Sequence, residues 1–159
     1  MSDYFYPAYY LTGTGYSDDL FGGRSDDDIF GAGGDDYIEG NAGNDILDGG
    51  YGDDDLYGGS GDDWLWAGYG DDILAGGSGH DVFAFYAHGD FVLEDFNPST
   101  DTLVFSHESG ISCMGELSDS ICDITQSQAG ITIDLDNQTS ITLVGIYYND
   151  LPYIDVGFT

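Results

Sequence analysis

The stretch GGSGDDWLW, residues 58–66, is one copy of a nine-residue segment that repeats eight times in register between residues 13 and 84. Aspartate stands at the sixth place of all eight copies, and a large apolar residue stands at the eighth. Glycine stands at the first place of seven copies and at the fourth place of six. Such fixed spacing indicates a repeat architecture. The copies are GTGYSDDLF, GGRSDDDIF, GAGGDDYIE, GNAGNDILD, GGYGDDDLY, GGSGDDWLW, AGYGDDILA and GGSGHDVFA, the sixth-place residues are Asp18, Asp27, Asp36, Asp45, Asp54, Asp63, Asp72 and Asp81, and the eighth-place residues are Leu20, Ile29, Ile38, Leu47, Leu56, Leu65, Leu74 and Phe83.

Each place in the repeat has a physical role. Glycine at the first, second and fourth places permits positive φ and a close approach between backbones, which a tight turn requires. The last three residues of each copy fit a short strand whose middle side chain points inward. Two copies therefore form one 18-residue coil of turn, strand, turn and strand, so residues 13–84 form four coils stacked about 4.8 Å apart.

The predicted turns carry the chemistry of a hard metal ion. A tight glycine-rich turn points several main-chain carbonyls inward, and the sixth-place aspartate adds an anionic oxygen. Oxygen-only ligation with several carbonyls is typical of Ca²⁺, and not of zinc or copper. The sequence therefore predicts calcium sites at the turns.

The composition indicates a fold that depends on cations. The 159 residues include 31 acids, one arginine and no lysine, so the formal net charge is −30. Such a chain cannot neutralise phosphate, which excludes nucleic acid and anionic membrane surfaces as partners. It is 41% hydrophobic and 15% aromatic, too apolar for a disordered tail. No apolar stretch is long enough to span a membrane.

The repeats resemble the GGxGxDxUx nonapeptide of the RTX, or haemolysin-type, calcium-binding family. The resemblance covers residues 13–84 and implies a right-handed parallel β-roll with Ca²⁺ between the turns of repeats n and n+2. It also implies carbonyl ligands from the second and fourth places of the earlier turn and from the first and third places of the later turn. Both sixth-place aspartates would reach the ion. The implied carbonyl ligands are Gly23, Ser25, Gly31, Ala32, Gly33, Gly34, Gly40, Asn41, Ala42, Gly43, Gly49, Gly50, Tyr51, Gly52, Gly58, Gly59, Ser60, Gly61, Ala67, Tyr69, Gly76 and Ser78.

The mapping gives about six calcium ions, one for each n/n+2 pair of repeats. Six ions of charge +2 would change the net charge from −30 to about −18, so we expect the metal-free chain to be unfolded by self-repulsion. The first two turns depart from the family pattern. Tyr16 and Ser25 replace the fourth-place glycine and Arg24 stands at a third place, so these turns are expected to be strained or poor in metal.

One or two further metal sites are candidates outside the eight copies. A degenerate ninth copy, FYAHGDFVL (85–93), is expected to keep Asp90 and Val92 in phase, which makes Asp90 a candidate ligand. The segment DFNPSTDTLVF (95–105) resembles part of the C-terminal cap that follows the β-roll in related proteins, and in those proteins an aspartate-rich turn often holds another Ca²⁺. The corresponding candidates in this chain are Asp95 and Asp101.

After residue 84 the nine-residue period dissolves into alternating strands and turns. FVLEDFNPSTDTLVF (91–105) predicts a strand, a turn and a strand, and residues 122–145 predict a three-stranded meander. DFNPSTDTLVF (95–105) and ITLVGIYYNDL (141–151) resemble the cap that follows the β-roll in serralysin-type proteases, secreted lipases and alginate epimerase R-modules. We therefore expect an all-β chain with an N-terminal aromatic cap (1–12), a roll (13–84) and a C-terminal β cap (85–159).

The outward-facing residues of the even repeats form the more apolar face of the predicted roll. This face carries Phe30, and it carries Trp64 and Trp66 in a single repeat. A contiguous apolar patch usually marks a surface that something covers. The covering partner could be the C-terminal cap or a second roll. The alternative is an aromatic platform for a polysaccharide.

The sequence favours a non-catalytic module. It contains no nucleophile elbow, zinc-protease helix or phosphate-binding loop, and relatives of this family carry their catalytic domain upstream of the repeats. The terminal residues DVGFT (155–159) resemble the tail of type I secretion substrates. We therefore expect a secreted, extracellular protein that uses a type I secretion apparatus and folds when it meets Ca²⁺ outside the cell, where such modules bind at about 10⁻⁴–10⁻³ M.

Two questions stay open at this point. Cys113 and Cys122 would form a disulfide in an exported protein, or stay as two buried thiols in a protein that is not exported. The chain is either a whole protein or part of a longer one.

Overall fold

A computed structural model describes residues 8–105, 121–135, 139–151 and 154–158. In these ranges the secondary structure is almost entirely β, and no helix is long and apolar enough to cross a membrane. Cys113 and residues 1–7 of the predicted N-terminal aromatic cap lie outside the described residues. The strands are β1 (Tyr10–Thr12), β2 (Asp19–Phe21), β3 (Asp28–Phe30), β4 (Tyr37–Ala42), β5 (Ile46–Asp48), β6 (Asp55–Ser60), β7 (Trp64–Trp66), β8 (Ile73–Ser78), β9 (Val82–Phe85), β10 (Asp90–Leu93), β11 (Thr102–Phe105), β12 (Ile121–Gln126), β13 (Gly130–Leu135), β14 (Thr139–Val144) and β15 (Asp155–Phe158).

The strands of successive repeats alternate between two sheets. One sheet has the order β1-β3-β5-β7-β9-β11-β15, and the other has the order β12-β13-β14-β10-β8-β6-β4-β2. Within the repeats, neighbouring strands are parallel and paired 18 residues apart, as Ile38 pairs with Leu56 and Leu56 with Leu74. The predicted all-β parallel β-roll is confirmed, and it has about five coils.

The eighth-place side chains form the core between the two sheets. Ile29, Leu47 and Leu65 from one sheet and Ile38 and Leu56 from the other are fully buried. Each such side chain stabilises the fold by about 1.5–3 kcal/mol through its removal from water. The seventh and ninth places flank this column and point outward, because successive strand residues face opposite sides of a sheet.

The roll begins before the first recognisable repeat. Strand β1 pairs in parallel with β3, and Tyr10 lies opposite Asp28, again 18 residues apart. The Tyr9 N–H donates to Asp27 Oδ1 at 2.5 Å. Residues 9–12 thus occupy the sixth to ninth places of a preceding coil, in which Tyr9 replaces the aspartate.

The roll also continues beyond residue 84. Strand β10 extends the sheet of β8, and β11 extends the sheet of β9. The two strands that flank the turn at Asn97 and Pro98 therefore belong to opposite sheets. Strand β15 follows β11 in parallel, and β12, β13 and β14 form the predicted meander, whose last strand pairs with β10. The predicted β-rich cap is confirmed, and its strands extend both sheets of the roll.

The expected phase of the ninth copy is wrong by one residue. Leu93, and not Val92, pairs with Leu74 and is fully buried, while Val92 pairs with the outward-facing Ile73. The spacing from β8 to β10 is thus 19 residues, one more than in the repeats. The register shifts because Phe91 and Leu93, which are both large and apolar, take the two inward places.

The fourth-place glycines are predicted to be essential for coil stacking. Gly61 has a φ of +132°, and a Cβ at this residue would overlap the Gly43 carbonyl oxygen of the preceding coil. In saturating calcium, Gly61→Ala should lower the free energy of unfolding by about 2–3 kcal/mol through overlap and backbone strain. Gly15→Ala is the control, because its Cβ would meet nothing within 4 Å. Denaturant unfolding of both variants tests this, and equal effects would contradict it.

Candidate metal centres

The turns of the later repeats share one backbone conformation. From the third repeat onward, the second and fourth residues of each turn have positive φ, as in Ala32 (+75°), Gly34 (+100°), Asn41 (+75°) and Gly43 (+138°). In the described part of the chain, the first two repeats contain no residue with positive φ. The backbone of these two turns therefore differs where Tyr16 and Ser25 replace glycine. That these two turns bind metal less well than the others stays a prediction.

The sixth-place aspartates tie each turn to the preceding turn on the same edge of the roll. One carboxylate oxygen, Oδ1, accepts a hydrogen bond from the backbone N–H of the aspartate 18 residues earlier. The Asp27 N–H donates to Asp45 Oδ1 at 2.7 Å, and the Asp45 N–H donates to Asp63 Oδ1 at 2.7 Å. The other pairs are Asp18 to Asp36 (2.8 Å), Asp36 to Asp54 (2.8 Å), Asp54 to Asp72 (2.9 Å) and Asp63 to Asp81 (3.0 Å).

Fifth-place residues form a second ladder that runs in the opposite direction. Here the N–H of the later turn donates to the side chain of the earlier turn. The Asp62 N–H donates to Asn44 Oδ1 at 2.8 Å, and the His80 N–H donates to Asp62 Oδ1 at 2.9 Å. These side chains are exposed, and Asn44 shows that a neutral amide serves the ladder as well as a carboxylate.

In five of the sixth-place aspartates, the second carboxylate oxygen has no protein partner. These five carboxylates are at most 3% exposed, and their Oδ2 atoms make no hydrogen bond. Each Oδ2 lies against the first residue of its own turn, and the first-place carbonyl of the following coil approaches the same point. A Cβ added at Gly31 would overlap both Asp36 Oδ2 and the Gly49 carbonyl oxygen. The five unpartnered atoms belong to Asp36, Asp45, Asp54, Asp63 and Asp72.

Burial disfavours the charged form of these carboxylates when no cation is bound. Desolvation, reinforced by neighbouring aspartates and opposed by the backbone hydrogen bond, raises the pKa of Asp45, Asp54 and Asp81 to about 6. The same causes raise the pKa of Asp63 to about 7 and that of Asp72 to about 8. Each column of aspartates thus needs either protons or a cation that shares its charge.

A metal ion at these turns needs backbone ligands. Among the described residues, no three His, Cys, Asp or Glu side chains form a metal-binding group. The sequence predicts two carboxylates and several carbonyls for each ion, and carbonyl oxygens are ordinary ligands of Ca²⁺. The carboxylate oxygens at these turns are buried without partners, and a Cβ at Gly31 would overlap one of them. Both features are consistent with a hard cation of this kind.

The structure brings together the turns that the sequence pairs. The Gly34 N–H donates to the Tyr51 carbonyl at 2.8 Å, and the Tyr69 N–H donates to the Gly50 carbonyl at 2.8 Å. A carbonyl oxygen has two lone pairs, so these bonds leave a second site for an ion. The predicted carbonyl ligands lie at first places (Gly31, Gly40, Gly49, Gly58, Ala67, Gly76), second places (Gly23, Ala32, Asn41, Gly50, Gly59), third places (Gly33, Ala42, Tyr51, Ser60, Tyr69, Ser78) and fourth places (Ser25, Gly34, Gly43, Gly52, Gly61).

Asp90 does not lie in the column of sixth-place aspartates, so the expected phase is wrong here too. Its N–H donates to Asp71 Oδ1 at 3.0 Å, which is the bond of a fifth-place residue. The next residue, Phe91, is fully buried at the place that an aspartate would occupy. The Asp72 N–H accordingly donates to the Asp90 backbone carbonyl and not to a carboxylate. This column of carboxylates ends at Asp72.

The other column continues into the C-terminal cap. The Asp81 N–H donates to Asp101 Oδ1 at 3.2 Å, and Asp101 is only 5% exposed. Asp101 thus takes the sixth place of a coil that is two residues longer than the repeats. The sequence carries a signal for this, since Asp101 and Leu103 stand two residues apart as in the repeat. The two carboxylate oxygens of Asp95 accept the N–H groups of Gly76 and Gly77 at 2.9 and 2.8 Å, and its role as a metal ligand stays a prediction.

The tryptophans of the even-repeat face lie in a continuous series of aromatic contacts. The rings of Trp64 and Trp66 are 5.9 Å apart, and Trp66 lies 6.0 Å from Tyr86. Tyr86 contacts Tyr69 at 5.9 Å, and Tyr69 stacks on Tyr51 at 4.9 Å. We call these five residues the aromatic row. Sequence reasoning did not place Tyr51, Tyr69 and Tyr86 on this face, because they lie in the turns and the cap and not at strand places.

Phe30 is separated from the aromatic row. Asp48 lies between Phe30 and Trp66 in the sheet, and the Tyr86 hydroxyl donates to Asp48 Oδ1 at 3.1 Å. Phe30 instead contacts Tyr10 at 5.3 Å. Trp64 is 38% exposed.

Comparison with known proteins gives a family match for the repeat region. A family model described as the RTX calcium-binding nonapeptide repeat matches residues 12–47 and 48–83. No curated protein matches the chain. Among solved structures, the chain is similar to the AlgE6R3 subunit from the Azotobacter vinelandii mannuronan C5-epimerase, with 24% identity and a TM-score of 0.46 over 89% of this chain and 77% of that one.

The raised pKa values predict that the metal-free roll is more stable in acid. The folded chain binds more protons than the unfolded chain between pH about 4 and 8, so stability must fall as pH rises through this window. Metal-stripped protein should therefore gain β-structure towards pH 4–5 and lose it towards pH 8, as measured by far-UV circular dichroism and urea unfolding. Stability that rises with pH in metal-free buffer would contradict this. Asp72→Asn should weaken the dependence on pH.

Proposed function

The repeat region of the chain, residues 12–83, belongs to the RTX calcium-binding nonapeptide repeat family, and we propose that the chain is a non-catalytic module that folds when calcium fills its turns. The observation that carries this proposal is the series of five buried Oδ2 atoms without a partner. A buried carboxylate without compensation costs several kcal/mol. A divalent cation between two turns would compensate two carboxylates at once.

The calcium ligands would come from consecutive members of each aspartate column. On one edge the pairs are Asp18 with Asp36, Asp36 with Asp54 and Asp54 with Asp72. On the other edge they are Asp27 with Asp45, Asp45 with Asp63 and Asp63 with Asp81. The carbonyls of the same turns would complete the ligand sets. Asp101 supports a seventh ion beside Asp81, because it continues the second column.

Export before folding is the biological role that the charge of the chain supports. At −30, the metal-free chain repels itself in neutral solution, which favours an extended state that can be threaded across a membrane. Calcium outside the cell would then drive folding, since binding energy at sites that exist only in the folded state adds to the folding free energy. We propose a secreted, extracellular protein exported by a type I apparatus.

A calcium titration tests this function. Metal-free protein at pH 8 should change cooperatively from coil to β in far-UV circular dichroism as Ca²⁺ is added, because each filled turn stabilises its neighbours. Mg²⁺ should not substitute for Ca²⁺, since it binds fewer carbonyls and keeps its water. Full β-structure in chelator at this pH would overturn the proposal.

Two isosteric variants separate metal binding from hydrogen bonding. Asp63→Asn keeps an oxygen for the Asp45 N–H but removes the buried charge, so it should stabilise the metal-free roll while weakening calcium binding. Asp62→Asn is the control, because this exposed fifth-place residue needs only an oxygen, as Asn44 provides. Its calcium midpoint should stay within about twofold of that of the parent protein.

The aromatic row supports a second function on the same folded module, the calcium-dependent binding of a polysaccharide. Tyr51 and Tyr69 are 65% and 42% exposed and Trp64 is 38% exposed, so the row offers aromatic surface to solvent at both of its ends. Sugar rings carry apolar faces that stack on such surfaces. The remaining negative charge favours an uncharged glycan over a polyanion. A second roll packed on the same row is the alternative occupant.

Tryptophan fluorescence distinguishes these occupants. If the row binds an uncharged oligosaccharide, titration in saturating calcium should quench or shift the emission of Trp64 and Trp66 to saturation, and Tyr69→Ala should reduce the effect. Self-association would instead give a signal that depends on protein concentration, together with a larger mass in analytical ultracentrifugation. A lack of response to both would remove this second function.

A further inference from the structure

The outer face of β2, β4 and β6 alternates aromatic rings with carboxylates. Along the row of seventh places, Asp19 lies opposite Tyr37, and Tyr37 lies opposite Asp55. Along the row of ninth places, Phe21 lies opposite Glu39, and Glu39 lies opposite Tyr57. The two rows are out of step, so every ring has a carboxylate on the neighbouring strand. We call these six residues the checkerboard.

The three rings of the checkerboard touch one another diagonally. The centroids of Phe21 and Tyr37 are 5.8 Å apart, and those of Tyr37 and Tyr57 are 5.3 Å apart. Phe21 is 52% exposed, and the two tyrosines are half-buried. The rings thus form one zigzag surface with carboxylates in the intervening positions.

The carboxylates of this face interact electrostatically with the tyrosine rings. The pKa of Tyr57 is raised by partial burial first and then by the charges of Asp55 and Glu94. Tyr37 Oη also lies 3.4 Å from Glu39 Oε2, which accepts its hydrogen bond. A π face beside a carboxylate attracts a cation in two ways, through the ring quadrupole and through opposite charge.

The matching cations must come from another molecule. The whole chain contains one arginine and no lysine against 31 acids. A second copy therefore offers no positively charged surface that would match these carboxylates. A guanidinium group fits both elements of the checkerboard, because it stacks flat on an aromatic ring while its N–H groups bind a carboxylate. A lysine ammonium group also binds a carboxylate, but it has no plane that stacks flat on a ring.

We propose that the checkerboard binds a polypeptide segment of another protein that carries arginine side chains about 10 Å apart. The spacing follows from the sheet, because Asp19 and Asp55 are two strands apart, or about 9.6 Å. A segment that crosses the strands in polyproline II conformation presents every third side chain on one side, at intervals of about 9.3 Å. This surface is on the opposite sheet from the tryptophans of the aromatic row.

Fluorescence anisotropy with labelled peptides tests the proposal. The probes are an arginine-proline-proline peptide of three repeats and its lysine counterpart, added to the folded chain in saturating calcium and about 0.15 M salt. The arginine peptide should bind at least about threefold more tightly than the lysine peptide, because only arginine gains ring stacking. Equal affinities would mean that the net negative charge attracts any polycation, and would overturn the proposal.

Matched variants locate the binding surface. Asp55→Asn and Tyr57→Leu should each weaken binding of the arginine peptide by about two- to fivefold, whereas Tyr57→Phe should retain it because the ring is kept. Asp155→Asn removes the same charge beside Thr102 on the other sheet, and Phe30→Leu removes a ninth-place ring there. Circular dichroism verifies that each variant folds. Losses as large in these two controls as in the checkerboard variants would overturn the proposal.

Discussion

The structure depends on one constraint, the burial of a carboxylate at the sixth place of the repeats from Asp27 to Asp81. One oxygen of Asp45 or Asp63 is used to accept the N–H of the coil before it, which fixes the register between turns. The other oxygen faces inward and is satisfied by nothing in the protein. A hydrophobic side chain at this place would remove the electrostatic cost but also the bond that aligns the turns. The fold therefore keeps the carboxylate, and its charge must be offset by a proton or by a cation.

The glycines follow from the same constraint. With the carboxylate turned inward, its Oδ2 atom reaches the first residue of its own turn, and the carbonyl of the next coil reaches the same point from the other side. Only a residue without a Cβ leaves this point open, which explains Gly31, Gly40 and Gly49. Ala67 is the exception, and it is fully buried in the turn that carries Asp72. The seventh and ninth places carry no such restriction, so the two outer faces can differ in chemistry while the interior repeats.

The sequence predicts the roll and its aspartate columns because every coil has the same length and the same two inward residues. Prediction fails where the length changes. Between Leu74 and Leu93 the coil has 19 residues, and alternation cannot choose between Val92 and Leu93, since both are apolar. Asp101 illustrates the opposite case, where a coil of 20 residues keeps the repeat's aspartate and leucine. The N-terminal coil lacks both glycine and aspartate, and only Leu11 keeps the pattern.

The C-terminal end of the roll is stabilised by aromatic packing in addition to the contacts of the repeats. Where the first aspartate column stops, Phe91 replaces the carboxylate and packs against Phe85 at 4.9 Å. Phe85 contacts Phe105 at 5.6 Å, and Phe105 contacts Phe158 at 6.4 Å, so this end has an aromatic core that the repeats lack. In a repeat protein each coil is stabilised mainly by its neighbours. The C-terminal end, which has this additional packing, therefore offers the edge on which the metal-dependent coils can form one after another, towards the N-terminus.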